Sequence, residues 1–93
     1  MKLFISQPMN GLIDEEIKAK REELTAAYPD AEIIESFFEG APHDATPLWY
    51  LGKSIQLLGT ADLAIFAKGW EKKRGCRIEH AVAVEYGIET VYE

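Results

Sequence analysis

The sequence predicts a three-layer α/β sandwich with a parallel four-stranded sheet in the order 2-1-3-4, and three observations carry that expectation. Short apolar runs alternate with segments of helical period, an alternation that calls for right-handed crossovers and helices on both faces of the sheet. One run, Ala61 to Ala67 (ADLAIFA), is apolar at almost every position, the mark of a central strand covered on both sides. The 93 residues suffice for one core and cannot be divided further, so a single domain spans residues 1–93.

Lys2 to Ile5 is the first apolar run, and it stops at Ser6, Gln7 and Pro8, with turn residues following at Asn10-Gly11. From Ile13 the apolar residues Ile13, Ile17, Leu24 and Tyr28 fall at helical spacing. Asp14 and Glu16 stand four residues before Lys18 and Lys20 on the exposed side, and Pro29-Asp30 ends the helix. Ala31 to Glu35 reads as the second strand, and Ser36 to Thr46, with Gly40, Pro42 and His43, as a long loop. Thr46 caps a second helix with Pro47 at its first position, and Leu48, Leu51, Ile55 and Leu58 recur on one face until about Gly59. Strand three is ADLAIFA. Helix three starts near Gly75 or Cys76 and runs through Ile78, Ala81, Val82 and Tyr86 to Gly87; Ile88 to Tyr92 is the last strand. In such sheets ligands bind beyond the carboxyl ends of the strands where the strand order reverses, here between strands one and three. Two loops are thereby placed at a site: Ser6 to Gly11, and Lys68 to Cys76.

Composition narrows the function. Hydrophobic residues make up 47% and charged residues 28%, the balance of a folded globular chain. A net charge of -6 argues against nucleic acid as a partner, because binding to phosphate backbones relies on clustered Lys and Arg. The run Lys72, Lys73, Arg74 with Arg77 stands against that background, as either a solvated loop or a contact for a phosphate or other anion. A lone Cys76 can form no intrachain disulfide, and no stretch approaches the roughly 20 apolar residues that cross a bilayer. The expectation is a cytoplasmic protein with no membrane partner.

The phosphate-cradling patterns GxGxxG and GxxxxGK[ST] are missing. The loop SQPMNG offers Ser6, Gln7 and Asn10 as neutral donors and acceptors, or is only a strand-to-helix turn. Glu79, in the first turns of helix three, is either a carboxylate that complements the helix dipole or a nucleophile or general base facing the crevice. Cys76 and His80, four residues apart, could join in a metal site with a further ligand such as His43, or Cys76 could be a reactive thiolate or a small packing residue. Trp49 reads as core, whereas Trp70, beside Gly69 in a polar loop, could cover a planar ligand.

Three stretches, SQPMNG after strand one, PLWYLGKSIQLL before ADLAIF, and GWEKKRGCRIEHAVAVEYGI afterwards, together resemble the small phage and bacterial proteins of domain-of-unknown-function family 4406. That family is similar, more distantly, to nucleoside 2-deoxyribosyltransferases and the related deoxynucleoside 5'-monophosphate N-glycosidases. The resemblance implies a flavodoxin-like (Rossmann-like) fold, no metal or other cofactor, and a homo-oligomer, dimer or larger, in which a neighbour completes the site. It also implies a transferase or hydrolase acting on a small-molecule nucleoside or nucleotide, with Glu79 as the nucleophile that attacks the anomeric carbon. Ser6, Gln7, Pro8, Met9, Asn10, Gly11, Ser54, Gly75 and Cys76 would then line the substrate, and Trp70 would pack on the base. Where those enzymes carry a Tyr on strand one and an Asp on helix two, this chain has Phe4 and Ser54. Asp62 or His80 could take over proton transfer; the alternative function is a non-catalytic nucleotide-binding or sensing module.

Overall fold

The computed structural model describes residues 1–9, 11–34 and 43–93; Asn10 and most of the expected long loop lie outside the described residues. Four strands, β1 (Lys2–Ser6), β2 (Glu32–Ile33), β3 (Leu63–Phe66) and β4 (Glu89–Tyr92), form one sheet in the order β2-β1-β3-β4, all neighbours parallel. Helices α1 (Asp14–Thr25), α2 (Pro47–Leu58) and α3 (Arg74–Glu85) make the crossovers, and a short 3-10 turn, Trp70–Lys72, precedes α3. The order 2-1-3-4 and the three-layer α/β architecture are those the sequence predicts.

Side-chain alternation along the two central strands divides the core between two layers. Leu3, Leu63 and Ile65 face one side, where Leu24 of α1 and Tyr28 just after it pack on them. Phe4, Ala64 and Phe66 face the other, against Leu58 of α2 and Ala83 of α3. Strand β3 is buried at all four positions, which is why it reads as an unbroken apolar run.

Several boundaries move for local reasons. Helix α1 stops three residues before Tyr28, because the residue before Pro29 is sterically pushed out of helical conformation. Its start is fixed by half of a capping box, in which the Ile13 backbone N–H donates to Glu16 Oε1 at 3.2 Å, so Ile13 flanks the helix and is exposed. Only Glu32 and Ile33 pair as strand β2, although Ile34 N–H still donates to the Leu3 carbonyl at 2.8 Å and its side chain is buried. Leu48 and Tyr86, expected on buried helix faces, are 76% and 81% exposed. The buried residues of α2 are Ser54 and Leu58, and those of α3 are Cys76, Glu79 and Ala83.

Helix α3 gives way to β4 through Gly87, whose φ of +72° lies in the left-handed region that side chains disfavour. A Cβ placed there meets nothing within 4 Å, so the cost of Gly87→Ala is that of the backbone alone. We expect a loss of roughly 1–2 kcal/mol in urea unfolding, with Gly87→Asn losing less; equal stability of Gly87→Ala and the parent would contradict the cap.

Candidate active site

The chemistry-bearing side chains meet where the carboxyl end of β1 faces α2 and α3. Because strand side chains alternate, Ser6 points to the same side as Phe4, toward those two helices. Ser54 lies one helical turn before Leu58 on the buried stripe of α2, and Glu79 lies between Cys76 and Ala83 on the buried stripe of α3. Packing Leu58 and Ala83 on the sheet therefore brings Ser6, Ser54, Cys76 and Glu79 together.

Glu79 is only 8% exposed, and Ser6 Oγ donates to its Oε1 at 2.6 Å. Burial pushes the carboxyl above its ordinary value of 4.5, while the hydroxyls of Ser6 and Ser54 and the guanidinium of Arg21 on α1 pull it the other way. The Cys76 thiol is also pushed up, first by burial and further by the Glu79 carboxylate, with Ser6 and Lys73 opposing. These shifts turn Cys76 away from thiolate chemistry and make it a packing neighbour of the carboxylate. At neutral pH its alkylation by iodoacetamide is expected to be slower than that of a small thiol, a difference that labelling followed by mass spectrometry reads directly.

An open cavity of about 1100 Å³ lies above this group. Among the described residues its floor includes Gln7, Ser54, Cys76 and Glu79; Pro47, Tyr50 and Leu51 at the start of α2 form one wall. Pro8 and Met9 border it from the first loop, and Lys72, Lys73, Arg74 and Gly75 from the second. The two loops lie side by side, since a Cβ on Gly69 would stand 3.8 Å from Pro8 Cγ. The cavity thus lies beyond the carboxyl end of β1, where Ile5 and Gln7 line it, and reaches the loop after β3 only at Lys72 to Gly75.

Individual residues divide accordingly. Gln7, Pro8, Met9, Ser54, Gly75, Cys76 and Glu79 border the cavity, whereas Ser6 sits beneath Glu79 as its hydrogen-bond donor. Gly11 is exposed and is not among the lining residues, and Asn10 lies outside the described residues. Trp70 does not line the cavity either. Its ring stacks on His80 at 4.1 Å and packs beside Phe66 and Tyr92, because the polar loop that carries it folds back onto the sheet. His80 Nε2 and the Tyr92 hydroxyl are 2.7 Å apart, which commits His80 to that aromatic cluster and away from Glu79, its neighbour in sequence. Asp62 Oδ2 accepts the Lys2 backbone N–H at 2.7 Å, so Asp62 ties β1 to the start of β3. Phe4 is a core residue.

Trp49 is half-buried, edge to face with Tyr50 at 5.1 Å and with Lys53 Nζ 5.7 Å from its ring centre. Among the described residues no group of three or more His, Cys, Asp or Glu is placed to hold a metal ion, and no helix is long and apolar enough to cross a membrane. Sequence reasoning missed Tyr50 and Leu51 as cavity residues, although Tyr50 precedes Ser54 by one helical turn and so shares its face.

Comparison with curated proteins gives no match. The family model described as "Domain of unknown function (DUF4406)" matches residues 1–92, so nearly the whole chain, with its 2-1-3-4 sheet and its cavity over Glu79, belongs to the DUF4406 family.

Proposed function

We propose that this protein cleaves or transfers the N-glycosidic bond of a nucleoside or nucleotide, in the manner of the nucleoside 2-deoxyribosyltransferases, with Glu79 as nucleophile. The observation that carries the reading is a buried carboxylate fixed by a 2.6 Å hydrogen bond from Ser6 at the base of a cavity large enough for a nucleotide. A Glu79 oxygen attacks the anomeric carbon, the C–N bond breaks with its electron pair leaving on the base, and the base takes a proton from water or a cavity group such as Tyr50. Water, or a second base, then opens the glycosyl ester and restores the carboxylate. Ser6 holds the attacking oxygen in place, so its role is positioning rather than substrate contact. In this reading a second copy of the chain closes the exposed side that bears Leu48 and Tyr50; a monomer in sedimentation equilibrium at assay concentration removes that part.

One observation favours a non-catalytic nucleotide-binding module instead. Glu79 is the one carboxylic acid among the described cavity residues, while Asp62 and His80 are engaged elsewhere, so no second acid of that kind stands over the leaving base. Incubation with a panel of deoxynucleosides and deoxynucleoside monophosphates, with free base read by chromatography, separates the two. Base release favours the enzyme; a raised Tm with no base released favours the binding module; neither effect with any compound sinks both.

A further inference from the structure

Displacement at an anomeric carbon runs in line: the carboxylate enters on one face of the sugar and the base departs from the other. Glu79 enters from α3, so the base departs toward the wall that α3 does not supply. That wall is the first two turns of α2, with Pro47, Leu48, Tyr50 and Leu51 lining the cavity. Pro47, Leu48 and Leu51 offer a planar base an apolar surface without a side-chain donor or acceptor. Of the four, only Tyr50 carries a proton that it can give up.

The backbone fixes where Tyr50 stands. Thr46 caps α2, its Oγ accepting the Trp49 N–H at 3.2 Å and its carbonyl the Tyr50 N–H at 3.3 Å. The Trp49 ring then meets the Tyr50 ring edge to face at 5.1 Å. Tyr50 precedes Ser54 by one helical turn and shares its face. Ser54 is buried at the level of Glu79, and its hydroxyl favours the ionised carboxyl. Four residues of α2, about 6 Å of rise, therefore separate the level of the nucleophile from that of the phenol. That is the scale of the separation of about 5 Å between nucleophile and acid in retaining glycosidases.

The other proton-bearing groups around the cavity are unsuited or misplaced. Aliphatic hydroxyls, amides and guanidinium groups do not serve as acids toward a leaving group near neutral pH, which sets aside Thr46, Ser54, Gln7 and Arg74. Cys76 lies on the same buried stripe of α3 as Glu79, and Lys72 and Lys73 lead into that helix, so all three stand on the side from which the carboxylate attacks. Among the described cavity residues, the phenol on α2 is what remains.

Resting on the glycosidic reading of the site, we propose that Tyr50 is its second catalytic residue, the acid that protonates the departing base. As a Glu79 oxygen bonds to the anomeric carbon, the C–N bond breaks with its electron pair on the base nitrogen, and that nitrogen takes the Tyr50 hydroxyl proton. The phenolate so formed takes a proton from the water, or the incoming base, that opens the glycosyl ester, and Tyr50 and Glu79 both return to their starting forms.

Tyr50→Phe keeps the ring, its place in the wall and its edge contact with Trp49, and loses only the hydroxyl. Its turnover is compared with the parent's on 2′-deoxynucleosides, their 5′-monophosphates, and an activated pair, 7-methyl-2′-deoxyguanosine and 4-nitrophenyl 2-deoxyriboside, whose leaving groups depart without protonation. On ordinary bases kcat is expected to fall about a hundredfold or more, the scale of general acid catalysis, with KM and Tm little changed. On the activated pair it should be nearly unchanged, since no proton is needed there. A merely structural role would lower both kinds alike. An equal fall on both kinds, no fall on ordinary bases, or a parent that cleaves the activated pair alone would each overturn the proposal while leaving Glu79 as nucleophile. A parent that releases nothing from any compound removes the glycosidic reading, and Tyr50's role with it. Calorimetric binding of a deoxynucleoside to Glu79→Gln, with and without Tyr50→Phe, separates lost chemistry from lost affinity. Equal affinities are expected; a fall in affinity as large as the fall in kcat/KM would make Tyr50 a binding residue and not the acid.

Discussion

Under the proposed glycosidic function, Glu79→Gln is expected to fold and to lose base release by roughly three orders of magnitude or more, the scale on which removal of a covalent nucleophile acts. The substitution keeps shape and retains an oxygen for the Ser6 hydroxyl, so the loss reports on the carboxylate and not on packing. The same variant carries a stability signature with a definite sign. Burial raises the Glu79 carboxyl above 4.5, so between 4.5 and that raised value the folded chain keeps a proton that the unfolded chain releases. The contribution is fully present below 4.5 and is lost as pH rises through the folded value. Glu79→Gln never ionises and escapes that loss, so its Tm should exceed the parent's at pH 8 and approach it at pH 4. A Tm at pH 8 equal to or below the parent's would show that the carboxylate is not penalised by burial. Since attack requires the ionised form, the acid limb of the parent's rate profile should lie above the ordinary glutamate range.

Phe66→Ala is expected to be the costliest single change in the core. The ring is fully buried on the central strand and meets Trp70 at 5.5 Å, His80 at 4.9 Å and Tyr92 at 6.0 Å between ring centres. Truncating a buried Phe costs about 3–5 kcal/mol, against a total of roughly 5–14 kcal/mol for a domain of this length. A fall of that size in urea-derived stability is the expected outcome; one below about 1 kcal/mol would mean that the cluster collapses onto the gap. Phe66→Leu should lose less. Because Trp70 rests partly on Phe66, Phe66→Ala should also loosen the turn that carries Trp70 and Lys72.

The layers of the fold were legible because burial on two faces leaves a plain mark: ADLAIFA has no polar side to give it any other reading. Helix α2 shows where the signal fails. Leu48 fits the apolar period of the helix, yet its face borders the cavity, and periodicity cannot distinguish a wall facing empty space from one facing core. Glu79 could be picked out by its place after β3, but the hydroxyl that holds it could not, because Ser6 meets it only through the alternation of β1 and the packing of α3. Trp70 illustrates the opposite error. Its polar neighbours suggested a lid for a planar ligand, and only the return of the loop onto the sheet shows that its partner is His80.

The bond between Ser6 and Glu79 joins residues 73 positions apart, and every strand pairing in the parallel sheet is likewise non-local. Chain entropy must be spent before such contacts give any return, which places this domain among the slower folders for its size. The carboxylate is therefore assembled only when the first strand and the last helix have docked. Recovery of function after dilution from denaturant should track completion of the native fold, and no partly folded species should contain a working site.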